Sequence, residues 1–174
     1  INNLMVKSRM EQKLEKCSLD LNELLTTELN FLEADSYFKN NVKKEYQFQA
    51  ILPLIKSVYS DFSQGLLNII LNAIDAMHES KEKTLTIKTY SDDDFIYIEI
   101  SDTGCGIPET DIPNLFTPFY TTKPSYIEEG TKRPKGTGLG LFSTYQILKP
   151  YGVKFYVESE VGKGTTFKIK IPIQ

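Results

Sequence analysis

An α+β fold is predicted: a two-layer sandwich with helices on one face of a mixed, mostly antiparallel sheet, and a mobile lid at one end. Three observations predict it. Residues 60–80, "SDFSQGLLNIILNAIDAMHES", carry Leu66, Leu67, Ile70, Leu71, Ile74 and Met77 as a wide apolar stripe at helical spacing. Four alternating segments, "TLTIKTY", "FIYIEIS", "KFYVESE" and "TTFKIKIPI", come as two pairs around the turn-like "SDDD" and "VGKG". Helical patterns cluster early and strands follow one another, which favours helices packed on one side of a sheet. The segment Thr121–Lys135 is long, polar and without periodicity, as functional or mobile loops are.

The earlier elements follow in order. Residues 4–16, "LMVKSRMEQKLEK", are charged and strongly helix-forming, with Leu4, Met5, Ser8 and Gln12 at mixed helical spacing. They read as the end of a helix whose partner lies elsewhere, so residues 1–18 are expected to be a helical stub and residues 19–174 a domain. The chain starts at Ile1, which suggests a piece of something longer. Ser18 or Asp20 can cap a helix bearing Leu24, Leu25, Leu29 and Leu32. "YQFQAILP" alternates and stops at Pro53, as a strand would.

Composition narrows the function classes. The 174 residues suffice for one domain with a proper core, and 40% hydrophobic with 25% charged residues is an ordinary globular mixture. A net charge of −3 argues against nucleic acid as the main ligand. No apolar run approaches the roughly 20 residues that span a bilayer. Two cysteines, Cys17 and Cys105, and one histidine, His78, exclude a zinc cluster and give no disulfide framework, which fits a reducing cytosol. His78 is expected to be an ordinary surface or helix-end residue, and Cys105 a small buried filler.

Several polar residues sit where packing alone would not put them. Asn68, Asn72 and Asp75 share one face of the most apolar helix. They form either a solvated stripe or the wall of a polar site, where an amide oxygen suits Mg²⁺. Asp102 ends a strand and precedes two glycines, Gly104 and Gly106. It is either an Asx-turn residue or an acceptor for a flat ligand lying against bare backbone. Gly136, Gly138 and Gly140 alternate just before an apolar helix, whose first N–H groups and dipole favour phosphate. Lys123, Lys132, Arg133 and Lys135 add positive charge beside them. A metal ligand, a base-reading carboxylate and an anion cradle are the parts of a nucleotide site, and the P-loop pattern is absent.

The order "NIILNAIDAM", "DTGCGIP", "LFTPFYTTK", "GTGLGLF", "GKGTTF" resembles the ATP-binding domain of sensor histidine kinases, within the wider group that includes gyrase-type ATPases. The resemblance covers residues 19–174. It implies Asn72 as the Mg²⁺ ligand, with Asn68 and Asp75 on the same wall near the phosphates. It implies Asp102 as acceptor of the adenine amine, with Gly104, Gly106 and Ile107 shaping that wall and Thr165 as a further contact. Phe116 and Phe119 would anchor the start of the ATP lid, and Lys123 would reach phosphate. Gly136, Thr137, Gly138, Leu139, Gly140 and Leu141 would cradle it. The implied activity is transfer of the γ-phosphoryl group of Mg·ATP to a histidine on a separate dimerisation domain, with a response regulator downstream. By that resemblance the parent is a cytoplasmic or membrane-anchored homodimer, and this piece is a monomer that takes ATP or ADP.

The chain departs from the family pattern at "LKPYG", which leaves the end of that helix open, and it holds no counterpart of the acceptor histidine. A stand-alone serine kinase of the anti-sigma-factor type shares the same motifs and is the alternative. Clamp-type and topoisomerase relatives carry a glutamate at the first polar position of the helix to activate water. Asn68 stands there, which assigns it to the catalytic wall and favours a transferase over a hydrolase.

Overall fold

The computed structural model describes residues 15–122 and 136–173. Strand β1 spans Lys16–Leu19, followed by α1 (Leu21–Leu32), α2 (Ser36–Asn41), β2 (Lys43–Phe48), β3 (Ile55–Val58) and α3 (Tyr59–Ala76). Then come β4 (Thr84–Ser91), β5 (Phe95–Asp102), α4 (Gly140–Leu148), β6 (Lys154–Glu160) and β7 (Gly164–Pro172). Five strands form one sheet in the order β2-β4-β5-β7-β6, and β1 pairs with β3 in a separate two-stranded sheet. Among the described residues only β2 runs parallel to its neighbour; the other pairs are antiparallel. The expected two-layer α+β sandwich with a mixed, mostly antiparallel sheet is what the chain forms.

Alternation does the layering. Leu85, Ile87, Ile96, Ile98, Ile100, Phe167, Ile169 and Ile171 point from β4, β5 and β7 into one core. There they meet Leu66, Ile69, Ile70 and Ala73 of α3 and the leucines of α1. The opposite sheet face stays polar and aromatic: Lys168 sits over Tyr90 and Tyr97, and Lys170 lies 3.7 Å from the Phe95 ring centre. Charged side chains on β2 and β6 border the sheet on its two edges.

The structure corrects the early chain in three places. Residues 16–18, grouped with the helical stub, are strand: β3 offers backbone groups to pair with, and Leu19 gains a buried site. Residues 1–14, which hold most of the predicted stub helix, lie outside the described residues. Of the two expected cap residues, Asp20 is the one that caps α1, accepting from the N–H groups of Asn22 and Glu23 at 2.8 and 3.2 Å. The strand read through to Pro53 stops at Phe48, just before Gln49 donates its side-chain amide to the Ile51 carbonyl, and β3, which begins beyond Pro53, was not foreseen. Finally, α2 was not foreseen, although Asp35 caps it by accepting from the Phe38 N–H at 2.8 Å.

Two contacts seat the helix that ends in "LKPYG". Gly65 lets α4 press against α3, since a Cβ there would lie 2.7 Å from Leu148 Cδ1. Beyond Leu148 the chain makes a 3₁₀ turn over Lys149–Tyr151, opened by Pro150 and closed by Gly152. Tyr151 is thereby buried edge-on against Phe62, and its hydroxyl donates to Asp61 Oδ2 at 2.6 Å while accepting from the Val58 N–H at 3.2 Å. Tyr151→Phe removes both bonds and should lower the unfolding free energy by about 1–3 kcal/mol. Urea denaturation should show a lower midpoint with an unchanged slope; an unchanged midpoint would mean the hydroxyl adds nothing.

Candidate nucleotide-binding site

Asp102 closes β5 at the point where the sheet stops being covered by apolar residues. The register places it opposite Thr165 on β7 and Leu85 on β4. Its carboxylate is buried, with 7% of the residue exposed, and accepts from the Gly104 N–H at 2.7 Å. Burial pushes its pKa up to about 6, and the backbone N–H groups of Gly104 and Thr165 only partly offset that. It is thus an acceptor held in a dry position, more costly to keep ionised than a surface aspartate.

The loop after Asp102 is squeezed between α3 and the β6–β7 hairpin. A Cβ on Gly104 would lie 2.7 Å from the Ala76 Cβ, and one on Gly106 would lie 2.2 Å from the Glu160 carbonyl oxygen. The Cys105 N–H donates to the Ala76 carbonyl, and the Cys105 carbonyl accepts from the Gly162 N–H. Cys105 itself is exposed and lines the cavity, so the expected buried filler is wrong; its backbone is pinned on both sides, which turns the side chain outward. Gly104 lies behind Asp102 as a spacer, whereas Gly106 and Ile107 reach the cavity wall.

Asn68, Asn72 and Asp75 of α3 all face that cavity. Asn68 is further committed: its amide nitrogen lies 3.2 Å from both the Gly140 carbonyl oxygen and Thr144 Oγ1. It therefore ties α3 to the first turn of α4. Leu71, read as part of the apolar stripe, is instead 40% exposed and lines the same cavity.

Gly140 begins α4, and its N-cap, Leu139, makes no side-chain capping bond. A Cβ on Gly140 would meet nothing within 4 Å, so packing does not demand the glycine; it leaves a bare backbone at the cavity wall. Gly138 adopts φ 68°, and a Cβ there would lie 2.4 Å from the Phe119 carbonyl carbon. The Phe119 N–H donates to the Gly138 carbonyl at 2.9 Å. The two phenylalanines thus anchor this region differently. Phe116 packs on Phe155 and Tyr145, while Phe119 is 74% exposed at φ 63° and holds by its backbone.

These elements enclose a cavity of about 580 Å³. Its wall includes Asn68, Asn72, Asp75, Asp102 and Thr165, and also Gly136, Thr137, Gly138, Gly140 and Leu141. Leu139 and Phe119 are not on the wall, and Lys123, Lys132, Arg133 and Lys135 lie outside the described residues. Sequence reasoning missed His78, Glu79, Asp111 and Tyr120. Glu79 continues the 68–72–75 spacing by four and was legible; Asp111 carries no such signal. His78 stacks on Tyr37, with ring centres 4.8 Å apart. At the rim, burial and a hydrogen bond to Asp111 raise the pKa of the Tyr120 hydroxyl.

Residues 58–174 match the family described as histidine kinase-, DNA gyrase B- and HSP90-like ATPases. The chain is 37% identical to the sensor kinase CckA of Brucella abortus, over 99% of this chain and 18% of that protein. It is 35% identical to sporulation kinase E of Bacillus subtilis, over 78% of this chain and 17% of the relative. It thus spans about a fifth of the length of these relatives. Among solved structures, the nucleotide-free catalytic domain of histidine kinase ThkA superposes with a TM-score of 0.75 at 26% identity, covering 91% of this chain and 96% of that one. Full-length ShkA with AMPPNP shares the fold, with a TM-score of 0.74 at 21% identity, over 91% of this chain and 31% of that one. The cavity, the motifs that wall it and these likenesses agree: the chain belongs to the histidine kinase-, DNA gyrase B- and HSP90-like ATPases, as an ATP-binding catalytic domain of the histidine-kinase kind.

Proposed function

We propose that this domain binds Mg·ATP and presents its γ-phosphoryl group to a histidine on a separate helical dimerisation domain, feeding a response regulator in the cytoplasm. One observation carries the reading: a buried acceptor carboxylate and a helix start without a side-chain cap line one and the same cavity. Asp102 accepts the adenine amine. The first N–H groups of α4, with the bare backbone of Gly136, Gly138 and Gly140, receive the phosphates. Asn68, whose nitrogen is spent on Gly140 and Thr144, holds that helix start in place and offers no base to activate water. Binding without hydrolysis is what a transferase needs, since transfer depends on positioning.

A metal fits the donor set. Among the described residues no group of three His, Cys, Asp or Glu side chains could hold an ion by itself. The wall supplies oxygens instead, from Asn72 and Asp75, as suits Mg²⁺ retaining water and phosphate ligands. When bound, Mg²⁺ neutralises triphosphate charge. Asn72 would be the side chain that holds it.

Asp102→Ala should weaken ATP binding about 10- to 150-fold, the worth of a hydrogen bond to a charged group. Calorimetry showing a loss under about threefold would remove Asp102 from that role. The pH dependence has a defined sign. The carboxylate must be ionised to accept the amine, so ATP affinity should fall as pH drops through about 6. Stability of the free chain runs the other way. The folded value lies above the ordinary 3.8, so this group's contribution is fully present below 3.8 and is lost as pH rises through about 6. Asp102→Asn should therefore stabilise the nucleotide-free chain at pH 7 by about 1–3 kcal/mol and flatten both profiles.

Asn72→Ala should reduce ATP affinity in magnesium and change it much less in chelator. Equal losses in both conditions would assign Asn72 another task. Incubated alone with γ-labelled ATP, the chain should show little hydrolysis and no label. An added helical domain should acquire acid-labile label at a low rate, because no covalent link holds the two together. Label on the chain alone that disappears in His78→Ala would overturn the reading.

A further inference from the structure

We propose that Ser159 is a positioning residue that makes the site select adenine over guanine, an inference that rests on the ATP reading above. Three strands carry the case. Ser159 on β6 is the register partner of Thr165 on β7, and Thr165 is the partner of Asp102 on β5. The three side chains thus form one polar row across the sheet, on the side where the next rows inward hold Val157, Phe167 and Ile100. Asp102 and Thr165 line the cavity; Ser159 lies one strand further out, half-buried behind Thr165.

Ser159 Oγ joins three segments. It accepts from the Ile107 N–H at 2.7 Å, which fastens the loop after Asp102. It lies 3.0 Å from the Gly164 carbonyl oxygen and 2.9 Å from Thr165 Oγ1. Gly164 presses on the strand carrying Asp102, for a Cβ there would lie 1.9 Å from the Asp102 carbonyl oxygen. A serine hydroxyl has one proton, so it donates either to Gly164 or to Thr165. With ligand present, donation to Thr165 fills the acceptor side of that hydroxyl and leaves its own proton to point into the cavity.

The base edge then decides the occupant. Adenine offers a donor, its exocyclic amine, next to a ring nitrogen that accepts. Guanine reverses the pair, with a carbonyl next to a ring N–H. Asp102 accepts and Thr165, oriented by Ser159, donates: the complement of adenine. Guanine would set its carbonyl oxygen against a buried carboxylate, and an unpaired buried acceptor is costly.

The test is a set of titrations of the intact chain with Mg·ATP, Mg·GTP and inorganic tripolyphosphate, for wild type, Ser159→Ala and Ser159→Thr. Ser159→Ala should weaken ATP about 5- to 20-fold and lower the ATP-to-GTP preference by a similar factor, the range of one or two lost hydrogen bonds. Tripolyphosphate affinity should stay within about twofold, and Ser159→Thr should recover most of the preference. Ser159→Ala with an unchanged ATP-to-GTP preference overturns the proposal. So does equal weakening of all three ligands, which would mark Ser159 as merely structural. Wild-type chain that fails to bind ATP would instead overturn the nucleotide reading itself.

Discussion

The pairing of β5 with β7 is the constraint on which the site depends. Eight register partners, from Phe95 with Pro172 to Asp102 with Thr165, run along these two central strands. Six inward positions of that ladder are aliphatic or aromatic and belong to the core; the last rung is Asp102 and Thr165. A slip of one residue would turn Ile96, Ile98 and Ile100 to solvent and Asp102 away from the cavity at the same stroke. Burial of the core and aim of the carboxylate are therefore one interaction. The close approach of Gly164 to the Asp102 backbone pins it from the side.

Helix α3 extends that economy to the phosphate end. Its apolar face covers the sheet while Asn68, Asn72 and Asp75 look into the cavity, so a rigid element carries both. Gly65 brings α4 close, and Thr144, fully buried, accepts from Asn68 and lies 3.0 Å from the Gly140 carbonyl. The start of α4 is thus fixed by side chains from a neighbouring helix while its own N-cap makes no side-chain bond. Orphan helix N–H groups are costly to bury and useful to a phosphate.

Much of this was legible because each signal was local and strong. The α3 stripe has both apolar and polar periodicity within one helix. Asp102 could be found because it interrupts an alternating strand and precedes paired glycines. What was missed depends on distant partners. Residues 16–18 become strand only because β3 lies alongside, and Cys105 turns outward because Ala76 and Gly162 hold its backbone. Ser159 looks in sequence like any polar residue on an edge strand. Its three bonds exist only once β6, β7 and the loop after Asp102 converge.

The sheet's two borders carry a different kind of consequence. An open sheet ends in unpaired backbone groups that can recruit another chain. Here β2 presents Lys43 and Glu45, joined at 2.7 Å, and β6 presents Lys154, Glu158 and Glu160. An incoming strand would have to strip water from charges on either side before it gained a ladder hydrogen bond. Such borders discourage fibre-like stacking, so copies of this domain can be crowded together without their sheets fusing.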